Sequence, residues 1–399
     1  MKRVAIVGAV IALVSCGEAQ PDAADTLFLQ SRGGVTIVKA GGAEPLYRAD
    51  SALPSHDWSK VVRTERVGNG TRVVAVHPSS GIELWSQLAP GRLDLKAVSR
   101  DGDLVVLEPG GSTYASNPRI TKFVIVRRSA APETIDLDGN FAPEAFSTDG
   151  DNLFVVQYFP AGNPNRYQVR RLDLGSGKVH DVFSIDAKVQ NAMRGTARIQ
   201  AMSPDGGRLY TLYTLRQGGR SYAFIHVLNL DDRDLWAHCV DLPASFAQSA
   251  HAATALTVAP DGKQLYVANA RADTVAVVDT RQLSVTRTAT VDLDDGRGAY
   301  AAYGAESTLT VASGSDVVAL GTRDLDVKHS WQMPLPVTGI QDGDGTRLYV
   351  IQGQEIAILD RASGKRLGRI DPPGIDKTTT LGKVMRGLGA ARTEFVCAC

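Results

Sequence analysis

The residues best suited to chemistry are few and scattered. His56-Asp57 sets an imidazole beside a carboxylate, Glu144 is a lone acid, Arg194 and Arg198 are four residues apart, and His251 stands alone. Two neighbouring guanidinium groups suit a carboxylate or phosphate, which they grip in bidentate fashion. Each of these side chains equally fits a structural role, satisfying backbone groups where sheets meet. No linear motif turns any of them into a catalyst. The chain has no Gly-x-x-x-x-Gly-Lys-Ser/Thr, no His-Glu-x-x-His, no Gly-x-Ser-x-Gly and no Cys-x-x-Cys-His. A phosphate loop, a zincin helix, a nucleophile elbow and a covalently attached haem are therefore not expected, and no cofactor is implied. Asp149-Gly-Asp151-Asn and Asp342-Gly-Asp344-Gly space their carboxylates like calcium loops, but neither has the closing bidentate Glu. A turn role accounts for both, and no metal site is expected.

The four cysteines divide by position. Lys2 and Arg3 precede an apolar run from Val4 to Val14, and Ser15-Cys16-Gly17 follows. This is the layout of a secretory signal, too short to span a bilayer. Leu13-Val14-Ser15-Cys16 resembles the bacterial lipobox, whose cysteine is acylated and becomes the new N-terminus. That resemblance implies residues 1–15 as signal, Cys16 as the lipidation site, and 16–25 as a small, polar tether. Processing would remove Lys2 and Arg3 and move the formal charge from 0 to −2. Of the remaining thiols, Cys397 and Cys399 would share one face of a strand, and Cys239 either pairs with one of them to lock the tail or stays reduced.

The elements that must position these residues are short and β-branched. From residue 26 onward, apolar runs alternate with Gly/Asp/Asn/Pro clusters. The clearest copy runs from Leu256 through Ala259-Pro260-Asp261-Gly262 to Leu265-Tyr266-Val267-Ala268-Asn269, then Thr274–Thr280 and an outer strand near Ser284–Thr290. Ser203-Pro204-Asp205-Gly206, Ser147-Thr148-Asp149-Gly150, Ser99-Arg100-Asp101-Gly102 and Ser55-His56-Asp57-Trp58 fill the same slot. These aspartates are 44, 48, 56 and 56 residues apart, a period that indicates one repeat architecture spanning 26–373. Four strands per repeat, apolar on both faces, describe a propeller blade.

Leu265–Asn269 with Val277-Val278-Asp279-Thr280 resembles the YVTN (YncE-like) β-propeller repeat, and weaker copies cover nearly all of 26–373. His77-Pro-Ser-Ser-Gly-Ile-Glu-Leu-Trp85 resembles a PQQ-type repeat instead, as in eight-bladed quinoproteins and the propeller lipoprotein of outer-membrane barrel assembly. These resemblances imply an all-β propeller and leave its activity open. Seven inner-strand-plus-turn signals, preceded by three partnerless strands at Thr26–Gln30, Val35–Lys39 and Pro45–Arg48, favour eight blades with one shared by the termini. Seven is the alternative. The tail, 374–399, would supply the closing strand, expected at Thr393–Cys399. Val189–Arg198 reads as room for a short helix over one channel mouth.

Balanced charge, 43 basic against 43 acidic residues, gives no footprint for nucleic acid. The expectation is a monomeric, lipid-anchored module on the extracytoplasmic face of the cell or outer membrane, binding or scaffolding an envelope protein or small ligand. The alternative is a lactonase-, lyase- or dehydrogenase-like enzyme with its site at the channel mouth.

Overall fold

The computed structural model describes residues 25–31, 34–42, 44–111, 118–185, 196–231, 235–247, 253–293, 298–304, 307–343, 346–376 and 379–385. Eight antiparallel sheets follow one another along the chain. Blade 1 holds Ala52–Pro54, Val61–Val67, Gly70–Val76 and Glu83–Pro90. Blade 2 covers 93–138, blade 3 covers 140–181, and blade 4 covers 196–241 with Phe183–Ser184 added in parallel to its outer edge. Blades 5, 6 and 7 cover 254–290, 299–332 and 337–370. Within each blade we call the strands A to D from the axis outward.

Why the sheets must stack is visible in the alternation along any B strand. In Leu104-Val105-Val106-Leu107, Leu104 and Val106 pack toward blade 3, whereas Val105 and Leu107 pack toward blade 1. Both faces of the sheet are apolar, so neither can be left to water. Among the described residues, eight apolar clusters form, one in each gap between neighbouring blades. The last gap, between blades 8 and 1, closes the ring. The eight-bladed reading holds.

Blade 8 joins the two ends of the chain. Its A strand is Thr380–Met385, paired with Thr26–Ser31, followed by Gly34–Lys39 and Pro45–Asp50. The closing strand therefore comes from the tail but thirteen residues earlier than the expected 393, and Thr393–Cys399 lies outside the described residues. Leu381 is the residue that selects this segment: it enters the apolar cluster between blades 7 and 8 with Leu27 and Leu29.

Candidate functional site

The Ser-x-Asp-Gly repeat is a hydrogen-bonded cradle between strands A and B. Ser55, Ser99, Ser147 and Ser203 each donate Oγ–H to the Oδ1 of the aspartate two residues on, at 2.5–2.7 Å. The same Oγ accepts the backbone N–H five residues on, at 2.8–3.0 Å, and each Oδ1 also accepts the N–H two residues beyond it. Burial opposes ionisation of Asp57 and Asp101, but these hydroxyl and N–H donors outweigh it and hold both below the usual carboxylate range. At Asp205 the Ser203 hydroxyl leads and the Gly207 N–H follows, with the same result. The fourth cradle position needs positive φ and is Gly102, Gly150, Gly206 and Gly262 in blades 2 to 5, but Trp58 (φ +62°) in blade 1. Replacing buried Ser147 by Ala is expected to cost about 1–2 kcal/mol, measured by urea unfolding, because the Asn152 N–H loses its acceptor.

These cradles converge on one end of the ring, the turn face. His56 Nε2 donates to the Ser203 carbonyl at 2.9 Å, reaching from blade 1 to blade 4 across the channel mouth, and the His56 backbone N–H donates to the Arg100 carbonyl at 3.2 Å. The Arg100 stem lies against the α-carbon of Gly206. His56 and Asp57 thus sit at the mouth as struts: the imidazole N–H and the carboxylate Oδ1 are both engaged by the fold. Beside them opens a cleft of about 550 Å³, lined by Arg100, Arg127, Arg128, Ser129, Thr148 and the turn aspartates. Arg128 pairs with Asp103 at 3.6 Å, and Arg127 makes no ion pair among the described residues.

Glu144 is different. It lies on the A strand of blade 3, Asn140–Phe146, where the register with strand B slips between Pro143 and Ala145. It is the fifth of the strand's seven residues. A bulge re-aims a side chain, and strand A of blade 2 has the same slip at Lys96. Glu144 Oε1 accepts from Gln200 Nε2 at 3.1 Å, and that amide also donates to Thr211 Oγ1 at 3.1 Å. Gln200 is exposed at its A-strand position, while Glu144, half-buried as a residue, has its Oε2 shielded and without a hydrogen bond among the described residues. The carboxyl is pushed up to about 7 by burial. Behind it the gap between blades 3 and 4 is aromatic: Tyr167 stacks on Tyr213 (5.3 Å) and Tyr213 on Phe224 (5.5 Å), with His226 edge-on at 6.2 Å. Burial raises both tyrosines, with the Glu144 charge adding to it, and burial holds His226 down at about 4.

The row crossing blade 4 is set by register: Gln200 opposite Thr211, Thr211 opposite His226, His226 opposite Cys239. Cys239 is half-buried on strand D, and neutral His226 brings no positive charge to its thiol. Cys16, Arg194, His251, Cys397 and Cys399 lie outside the described residues, and with them any test of the disulfide. Arg198 is placed only by its backbone: Thr196–Met202 is strand A of blade 4, so the C-terminal end of the expected helical stretch is β. Asp149 is held by its cradle, and Asp342 accepts from Arg361 at 2.8 Å. Sequence reading missed Gln200, His226 and the arginines 100, 127 and 128. Only the last two, adjacent at the end of a β-branched run, gave any signal.

No protein-family model matches the chain, and no curated protein does. Solved structures do match. NirN, a dihydro-heme d1 dehydrogenase solved with DHE, is 16% identical over 88% of this chain and 74% of its own, with a TM-score of 0.51. A putative 6-phosphogluconolactonase from Bacteroides fragilis is 14% identical over 91% of this chain and 98% of its own (TM-score 0.47). BamB from Moraxella catarrhalis is 14% identical over 80% and 87% (TM-score 0.43). At these identities the likeness is one of fold. The chain is a β-propeller.

Proposed function

We propose that this protein is an envelope lipoprotein, acylated at Cys16, whose YVTN-type propeller binds a partner rather than transforming it. The observation that carries the reading is the chemistry of the turn-face cleft. Its aspartates at 57 and 101 are held ionised and bonded into their turns, so they are not poised to exchange protons near neutrality. What the cleft offers instead is the Arg100 and Arg127 guanidinium groups and the Ser129 hydroxyl set among turn carboxylates, with Arg128 already paired to Asp103, a mixed lining that fits a polar group presented by a ligand.

The test is a photo-crosslinking amino acid placed at Ser129 in the cleft or at Gln354 on the far face, in the native host. A single stoichiometric envelope protein is expected from position 129 and not from 354, and Arg100→Ala/Arg127→Ala is expected to reduce its recovery about tenfold or more. Equal recovery from both positions, or none from either, would count against the cleft. A second reading, the channel enzyme, draws support from Glu144 alone, because a carboxyl near 7 suits general acid–base work. The two readings separate at Glu144→Gln: partner capture is unchanged under the first, and any turnover collapses under the second.

A further inference from the structure

The described ring begins at Asp25 and ends at Met385, where one A–B turn is missing. In blades 2 and 3, strand A leads to strand B through Ser99–Asp103 and Ser147–Asp151. In blade 8, strand A ends at Met385, directly opposite Thr26, where strand B begins. Asp25 occupies the place of the last turn residue. Its carbonyl accepts the Ala40 N–H (2.7 Å), as the Asp103 carbonyl accepts from Arg128 (2.9 Å) and the Asp151 carbonyl from Leu174 (2.9 Å). Tyr349 fixes the same residue by donating its hydroxyl proton to Oδ2 at 2.6 Å, and Asp25 is 2% exposed. Both chain ends therefore leave side by side on the turn face, from a rigid point close to the axis.

The reach from that point is short. Cys16 precedes Asp25 by nine residues, which fully extended cover at most about 30 Å. To reach the opposite face, with the B–C hairpins, the tether would have to cross the outer strands to the rim, about 15 Å or more, and then descend a strand length of about 20 Å, together more than its reach. We propose that the turn face, with the Arg100–Arg127–Arg128 cleft, is apposed to the lipid surface that holds the Cys16 anchor, and that the hairpin face points away from it. This rests on the lipid-anchor reading of Cys16. It means that whatever enters the cleft reaches it from the membrane surface.

The experiment uses the full chain, expressed with its leader and reconstituted in phosphatidylcholine–phosphatidylglycerol vesicles, in a background with Cys239, Cys397 and Cys399 changed to Ser. A single fluorophore is attached through Ala362→Cys or Gln354→Cys, exposed positions at opposite ends of blade 7. A lipid with a headgroup nitroxide is then added as quencher. Several-fold stronger quenching at position 362 than at 354 is expected. Vesicle-bound protein with equal or reversed quenching overturns the orientation and leaves the anchor standing. Protein that fails to float with the vesicles overturns the anchor, and the orientation falls with it.

Discussion

Glu144→Gln is expected to leave stability unchanged below pH 4.5 and to raise it, relative to the parent, by about 2–3 kcal/mol above pH 7. In the unfolded chain this carboxyl loses its proton near 4.5; in the folded protein it keeps it until about 7. Between those values the folded state binds the extra proton, so the Glu144 contribution falls as pH rises through the window. The cause is physical and local: burial removes water from a carboxyl whose Oε1 has one amide donor and whose Oε2 has none. Gln keeps the shape and cannot ionise. His226 works in the opposite sense. Held at about 4 against an ordinary 6.5, it contributes stability that is present above 6.5 and lost as pH falls through 4. The two slopes oppose each other in the parent, so the Gln variant should show the rising His226 slope that the parent hides. Urea midpoints of the two proteins at pH 4, 6 and 8 decide the matter: a constant difference across that range would mean Glu144 is not held protonated by the fold.

Gly382→Val is expected to be the most damaging single change at the ring closure, costing about 3 kcal/mol or more. Gly382 is the bulged residue of blade 8 strand A, the extra one between the pairs Leu381–Leu29 and Lys383–Phe28. A β-carbon built there would lie 2.2 Å from Trp58 Cζ2. The indole cannot retreat, because it is buried and packed edge-on against Phe28 with ring centroids 5.1 Å apart. Trp58 in turn accepts a positive φ that the equivalent glycines of blades 2 to 5 take without strain. The two oddities explain each other: a tryptophan in a glycine slot and a glycine in a strand together plug the gap between the first blade and the last. A double-mutant cycle checks it by urea unfolding. Trp58→Ala should cost about 3 kcal/mol alone and recover part of the Gly382→Val loss when combined with it. Strictly additive effects would show that the clash is relieved some other way.

The repeat was legible in the residues alone, and for a plain reason. Turn chemistry is local: a serine, an aspartate and a glycine within four residues close their own hydrogen bonds, so Ser99–Gly102, Ser147–Gly150 and Ser203–Gly206 announce their turns without help from the rest of the chain. The alternating apolar runs between them carry the blade in the same way, and the three partnerless strands at the start called for a closing strand from the tail. Which tail strand it is was decided by packing at a distance. Thr393–Cys399 and Thr380–Met385 are both short runs with apolar residues, and only the pocket left between blades 7 and 1 selects the segment with Leu381 facing blade 7 and Gly382 under Trp58. The functional groups divide likewise. His56 and Asp57 were legible as turn residues because their slot in the repeat is legible, but the Ser203 carbonyl that engages His56 is 147 residues away. Glu144 was visible only as a lone acid, yet its environment comes from Gln200, Tyr167 and Tyr213, brought together by a bulge and by the register of two blades. Desolvation and neighbouring charge are properties of a place, and only the closed ring creates that place.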